Sequence, residues 1–326
     1  MVLTIKHIII LYLTIYLFDD EIVLNNYLII NNMKIFYGTA EINIDVTDIC
    51  LSKLTHNNIV TIPSGDSNRA QYFSDPVPNV LKKIIINNGA ISDYNNNCTV
   101  KIKLENNSII YYDDSLIEDN LRNIHSLLKI NHGSFNDELP EQKMAIRYLS
   151  GNEKVLELGG NIGRNTLIIS HILEYSNNLV SLETDREIAN KLEENRDLNG
   201  FSFFVENSAL SKRKLIQKSW ETIPSDTLLD GYFEVNTITL DELYEKYNIV
   251  FDTLVIDCEG AFYYILLDMP EILNNINLII MENDYTNISH KEYVDQVLTG
   301  KNFYRDYVEE GGWGPCQANF FEVWKR

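Results

Sequence analysis

The sequence predicts an α/β protein, a doubly wound Rossmann-like sheet preceded by a small β-rich domain. Three observations carry this. Lys154-Val-Leu-Glu-Leu-Gly-Gly-Asn-Ile-Gly-Arg164 reads as a buried strand that breaks into a glycine loop and re-enters as a helix. A second strand, Leu179-Val-Ser-Leu-Glu183, ends in an acid and is followed by a charged helical run from Asp185 to Asn199. Before residue 114 the apolar runs are short, alternate with polar residues and are separated by turn formers, as in a β-rich unit.

Residues 1–32 form an apolar leader. Ile8 to Phe18 has the character of a signal-peptide core, but it is too short to span a bilayer and no small-residue cleavage site follows. Asp19-Asp20-Glu21 leads into a second apolar stretch, Ile22 to Ile30, and Met33-Lys-Ile-Phe-Tyr-Gly reads as a start. Three readings stay open, in this order: a dispensable translated leader, a membrane-proximal anchor and an extra helix. Only the second would bring the chain to a membrane.

Residues 33–114 are the β-rich module. Strands are expected at Lys34 to Tyr37, Ile42 to Val46, Ile59 to Ile62, Leu81 to Ile86 and Thr99 to Leu104, with a hairpin turning at Glu105-Asn-Asn-Ser108. The polar segment Ile62 to Pro76 reads as a surface connection whose Tyr72 and Phe73 pack on the sheet; an acceptor groove is the alternative. Residues 115–138 are a connecting helix and linker, with Asp114 as cap and Leu116, Ile117, Leu121, Ile124 and Leu128 on one face. His125 and His132 match no metal-ligand spacing and are expected to be structural.

The domain of residues 139–326 holds the glycine loop. Gly159, Gly160 and Gly163 permit a tight turn and keep Cβ atoms out of a ligand's way, and the next helix presents its N-terminal amides. Asn161 tolerates left-handed backbone angles. A dinucleotide fingerprint needs glycines in the register GxGxxG, and counting from Gly159 places Asn161 and Arg164 where the second and third belong. The carboxylate of Glu183 can accept two hydrogen bonds from a ribose diol.

Glu157-x-Gly159-x-Asn161-x-Gly163 resembles the first motif of class I S-adenosyl-L-methionine-dependent methyltransferases. Thr237 to Leu243, Asp252 to Ala261 and Asn277 to Glu282 resemble the FkbM-type methyltransferase family in order and spacing. The family's fourth-strand pattern, approximately Leu-Lys-Ile-Asp-x-Glu-Gly-Ala-Glu, becomes Leu254-Val-Ile-Asp-Cys-Glu-Gly-Ala-Phe262, so Val255 and Phe262 depart from it. The resemblance spans residues 139–326. It implies S-adenosyl-L-methionine as cofactor and a class I methyltransferase sheet. It also implies O-methyl transfer to a hydroxyl of a sugar, a glycan or another small molecule. Glu157 and Asn161, with Gly159, Gly160 and Gly163, would serve the methionine moiety and the cradle, and Glu183 the ribose. Asn207, Ser208 and Ala209 would border the adenine. Asp257 and Glu259 would face the methionine amine or the acceptor, with His290 or a carboxylate as general base. Asp257, Asn283 and Asp284 offer oxygens suited to Mg²⁺, as in several small-molecule O-methyltransferases of this fold. A metal-free site, with Asp257 on the cofactor and Asp284 facing solvent, is the expectation.

The formal charge of −20 argues against a nucleic-acid partner, since polyanion binding needs basic stripes. The four cysteines are scattered with no CxxC pair, which argues against zinc or a disulfide framework and for a reducing compartment. Cys258 is expected as a small hydrophobe in the core strand. A cytoplasmic location is expected, or a host cytoplasm or virion if the source is a virus. The Asn, Ile and Tyr bias suits the AT-rich coding of a giant virus or an AT-rich microbe. A protein side chain as methyl acceptor, and a binding protein that keeps the fold without turnover, are the alternative functions.

Overall fold

The structure, a computed structural model, describes residues 33–56, 58–219 and 221–326. The readings of the leader, residues 1–32, lie outside the described residues. Two compact units divide between Leu116 and Ile117. No helix among the described residues is long and apolar enough to cross a membrane.

The first unit contains two four-stranded sheets with antiparallel pairings. One has the order Asn43–Asp45, Lys34–Gly38, Lys83–Asn87, Ile91–Tyr94, and the other runs Thr55–His56, Ile59–Ile62, Cys98–Lys103, Ser108–Asp113. Alternate residues of these strands, Ile35 and Tyr37, Ile84 and Ile86, Val60 and Ile62, Val100 and Ile102, form one core. The expected hairpin closes with Lys103 opposite Ser108. The segment Ile62 to Pro76 is not a plain connection, because Asp66–Phe73 is a helix. Its buried Arg69 donates to the carbonyls of Pro63, Asn95 and Cys98, and Phe73 packs on Tyr37 at 5.3 Å between ring centroids. Tyr72 is exposed. Two buried side chains in eight residues leave too little apolar periodicity for the helix to show in the sequence.

The helix Asp114–Leu127 buries Ile117, Leu121 and Ile124. Leu116 lies one residue off that stripe, about 100° around the helix, and is exposed instead of buried. His125 is structural: its Nε2 meets Gln142 Oε1 at 2.7 Å and its ring stacks on Phe135.

The second unit is built on seven strands: β1 Val155–Leu158, β2 Leu179–Leu182, β3 Phe204–Glu206, β4 Thr253–Ile256, β5 Leu278–Glu282, β6 Tyr304–Glu309 and β7 Phe321–Lys325. Their order is β3-β2-β1-β4-β5-β7-β6. Pairings from β3 through β5 are parallel, and β7 is antiparallel to both its neighbours. The main helices are α1 Leu139–Tyr148, α2 Arg164–Ile172, α3 Arg186–Leu198, α4 Leu240–Tyr247, α5 Phe262–Asp268 and α6 Ile288–Gly300. This is the doubly wound, Rossmann-like sheet that the sequence predicts. Continuous apolar strands such as Val155-Leu-Glu-Leu158 are buried on both faces, as parallel strands under helices must be. Val155, Leu179, Val255 and Ile280 join the core with α1, α2 and α3, while Leu156, Leu182, Leu254 and Ile279 join the core with α4, α5 and α6. Asp185 accepts from the amides of Glu187 and Ile188 to start α3, and Thr239 with Glu242 forms a capping box on α4.

The glycines of the loop serve packing within the protein, a reason the sequence does not disclose. A Cβ on Gly159, whose φ is +92°, would lie 1.6 Å from the carbonyl oxygen of Asp257. One on Gly160 would meet Ser181 Oγ at 2.0 Å, and one on Gly163 would meet Leu192 at 2.5 Å. Gly159→Ala therefore combines left-handed strain with a collision against backbone, and is expected to cost about 2 to 5 kcal/mol of stability. Denaturant unfolding of wild type and variant measures it. A difference within error would contradict the close approach of β1 and β4 at this point.

Candidate cofactor site at the strand edge

The sheet register brings the site together. Leu158 stands opposite both Leu182 and Ile256, Leu182 opposite Glu206, and Ile256 opposite Met281. The next residues along these strands are Gly159, Glu183, Asn207, Asp257 and Glu282, so five polar or glycine positions leave the sheet in one row. The strand order reverses between β1 and β4, the point where doubly wound sheets hold their ligands beyond the carboxyl ends of the strands.

A cavity of about 380 Å³ opens at this row. Gly159, Asn161, Glu183, Ser208, Ala209, Asp257, Cys258 and Glu259 line it. Glu183 is held rigidly: Oε2 accepts from the amide of Asn161 at 2.9 Å and Oε1 from the amide of Asp185 at 2.9 Å. Burial raises its carboxyl above the usual range, and the amides of Asp185 and Asn161 pull partly against that. Asn161 adopts the left-handed conformation expected of it, φ 47°. Its Oδ1 accepts from the amide of Ile162 at 2.8 Å. The amides of Gly159 and Gly160 both donate to the carbonyl of Leu182, and that of Gly163 donates to Gly160. Every N–H from Gly159 to Gly163 is thus engaged within the protein.

Glu157 and Asn207 stand behind the cavity wall. Glu157 is buried, its Oε2 accepting from Thr166 Oγ1 at 2.7 Å and Ser181 Oγ at 2.5 Å. It lines a second, much smaller cavity together with Glu138, Glu141, Asp257 and Glu282. Asn207 donates through Nδ2 to the carbonyls of Glu183 and Thr184, bracing the end of β2. Ser208 Oγ donates to Glu206 Oε1 at 2.8 Å. His290 lines neither cavity; it stacks on Tyr263 at 3.9 Å with 2° between the planes. Cys258 lies in the turn after β4 and not in the strand, half-buried on the large cavity, where burial pushes its thiol up to about 12. Asp284 does not face solvent but is 7% exposed, and Asn283 is fully buried, its Nδ2 donating to the carbonyl of Asn319 at 2.7 Å. Burial pushes Asp257 and Glu282 well up, and neighbouring carboxylates push them further.

One wall of the large cavity has no counterpart in the sequence reading. Leu215–Lys218, Glu221–Pro224 and Phe233–Val235 form a three-stranded antiparallel sheet between β3 and α4. Leu215, Gln217, Thr222 and Pro224 of this sheet, with Arg213, line the cavity. Arg213 is fixed by a two-pronged pair with Asp268, at 2.5 and 2.8 Å, and lies over the ring of Tyr264. The signal available was the alternation in Leu215-Ile-Gln-Lys and Phe233-Glu-Val, too short to stand out.

Burial raises the Glu157 carboxyl to about 7, with the Ser181 and Thr166 hydroxyls opposing. Its folded-state value lies above the unfolded value of about 4.3, so its contribution to stability is complete below that pH and is lost as pH rises through about 7. Glu157→Gln carries no charge at any pH and loses nothing. The stability difference between the two proteins should therefore move in favour of the variant by about 2 kcal/mol between pH 5 and pH 8, read by denaturant unfolding. A constant difference would contradict a protonated Glu157 in the fold.

No protein-family model matches the chain, and no curated protein matches it. Among solved structures, the chain is similar to the ribosomal protein L11 methylase from Lactobacillus delbrueckii subsp. bulgaricus, with 14% identity over 57% of this chain and 77% of that one and a TM-score of 0.38. It is similar to the O-methyltransferase from Bacillus cereus in complex with SAH, at 16% identity over 66% and 92% and a TM-score of 0.37. A third is Aeropyrum pernix fibrillarin with natively bound S-adenosyl-L-methionine, at 12% identity over 71% and 94% and a TM-score of 0.38.

Proposed function

We propose that the chain is an S-adenosyl-L-methionine-dependent methyltransferase, of the FkbM type that its motifs resemble, and that it methylates a hydroxyl of a sugar, a glycan or another small molecule. The observation that carries the cofactor is the state of the glycine loop. A dinucleotide needs free backbone amides around its pyrophosphate. Here the five amides from Gly159 to Gly163 are already bonded within the protein, while the Glu183 carboxylate stands at the end of β2 on the large cavity. That arrangement fits a nucleoside without phosphates.

In this reading Glu183 accepts from the ribose hydroxyls, held in place by the two amides that already bind it. Ser208, Ala209 and Leu210 border the adenine, and Asn207 supports them from behind. Gly159 and the turn at Asp257 receive the methionine moiety at the strand reversal, with Glu157 as a buried prop beneath. The bound sulfonium supplies the methyl group. The chain's part is to align the acceptor and take its proton, which suits Glu259 or Asp257: both lie on the cavity, and burial and neighbouring carboxylates raise both above the usual carboxylate range. His290, stacked on Tyr263 away from the cavity lining, is not used. The acidic wall disfavours a polyanionic acceptor.

Glu183→Ala should weaken binding of S-adenosylhomocysteine by about 10- to 100-fold, because charge-assisted hydrogen bonds contribute about 1.5 to 3 kcal/mol each. Calorimetry on the two proteins checks this. Equal affinity would remove the ribose role from Glu183.

A further inference from the structure

The three-stranded sheet beside the large cavity grows out of the residues that border the cofactor's base. Ala209 and Leu210, which follow β3, pair with Thr237 and Ile238, and residues 211–236 form an excursion from that joint. Arg213, paired with Asp268, and Lys212, whose Nζ meets Glu271 at 3.1 Å, tie the start of the excursion to the end of α5 and the segment after it. Strand alternation then turns Leu215, Gln217 and Ser219 toward the cavity and sends Ile216 and Lys218 to the other face. Thr222 stands opposite Gln217 in the register and also lines the cavity.

Gln217 is incompletely satisfied in this wall. It is 6% exposed, and its Nε2 donates to the carbonyl of Ser219 at 3.0 Å. That bond fixes which way the amide points, because only its NH2 group can donate to a carbonyl. Oε1 is therefore an acceptor, and it is buried without a hydrogen-bond partner among the described residues. Native folds leave few buried amide oxygens unpaired, since each is destabilising. The group that satisfies this one must carry an N–H or an O–H. The methyl donor offers three such places: the ribose hydroxyls, the ammonium of the methionine moiety and the amino group on the adenine ring. The first belong to Glu183 at the end of β2, and the second to the strand reversal between β1 and β4. The third lies where Ser208, Ala209 and Leu210 border the base, and the inserted sheet starts from those residues.

We propose that Gln217 Oε1 accepts a hydrogen bond from the 6-amino group of the cofactor's adenine, so that the inserted sheet selects a 6-aminopurine and rejects a 6-oxopurine. The inference rests on the cofactor reading and adds to it a residue far along the chain from the glycine loop. A 6-oxopurine would set a second acceptor against Oε1 in a wall that holds the amide in one orientation, and a site built to accept from an N–H discriminates against a ligand that lacks it.

The full chain is titrated by calorimetry with S-adenosylhomocysteine, with S-inosylhomocysteine, which carries an oxygen in place of the amino group, and with the 6-hydrogen purine analogue, which has neither. Wild type should bind the 6-hydrogen compound about 3- to 10-fold more weakly than S-adenosylhomocysteine, and the inosyl compound at least about tenfold more weakly. Gln217→Met keeps the length of the side chain and removes both polar atoms of the amide. With the native fold confirmed by circular dichroism, it should bind S-adenosylhomocysteine about 3- to 10-fold more weakly than wild type does and no better than the 6-hydrogen compound. Gln217→Leu carries the same expectation and takes its place if the methionine variant does not fold. Equal wild-type affinity for S-adenosylhomocysteine and the 6-hydrogen compound overturns the proposal, as does a preference for the amino group that persists undiminished in a folded variant. Both results leave the cofactor reading standing, because S-adenosylhomocysteine still binds. A folded wild-type chain that binds none of the three removes the cofactor reading itself and this proposal with it.

Discussion

The carbonyl of Leu182 accepts the amides of both Gly159 and Gly160, and one residue later the Glu183 carboxylate accepts the amide of Asn161. This stitch between the end of β2 and the loop after β1 sets the geometry of the rest of the site. It fixes where α2 begins, because Gly163 can then bond back to Gly160 and hand on to Arg164. It aims Glu183 at the cavity, and it consumes the amides that a phosphate would otherwise bind. A loop of the same length with free amides would be an anion site; this one is a frame for a carboxylate.

The same register that builds the site also concentrates acid at it. Two carboxyls of this unit, one buried and one half-buried, show how differently such groups are managed. Glu322 on β7 is fully buried, but Lys291 at 2.9 Å and Arg305 at 2.7 Å outweigh the effect of burial and hold it below the usual carboxylate range. Glu282, on the neighbouring strand β5, is driven up by burial and then by the carboxyls of Glu141, Asp257 and Asp284. Paired buried charge is ordinary architecture. Carboxyls crowded against one another at a strand edge lie closer to function than to stability.

Much of the scaffold was legible because its strands are short continuous apolar runs bounded by glycine or acid: Val155 to Leu158, Leu179 to Leu182, Thr253 to Ile256 and Leu278 to Glu282 all fall where the pattern puts them. The site residues that sit directly at strand ends were legible for the same reason. What periodicity could not supply was register and facing. Nothing in the first turn of α1 says that Glu141 will lie over Asp257 and Glu282, and nothing near His290 says that it will stack on Tyr263 instead of reaching the cavity. The wall of strands between Leu215 and Val235 escaped because each has only three or four residues and its polar side chains face a cavity, which erases the usual contrast between inside and outside. The loop glycines were legible as positions that exclude a Cβ; that Asp257 O, Ser181 Oγ and Leu192 also need that space was not.

The central claim is that the frame at β1 and β2 accepts a nucleoside without phosphates. Calorimetric titration of the chain with S-adenosylhomocysteine, run beside NAD under the same conditions, tests it most directly. The account predicts saturable binding of S-adenosylhomocysteine at one site per chain and no comparable binding of NAD. Tight binding of NAD with no heat from S-adenosylhomocysteine would contradict it, since it would require the amides of Gly159 to Gly163 to leave Leu182 and Glu183 for a pyrophosphate.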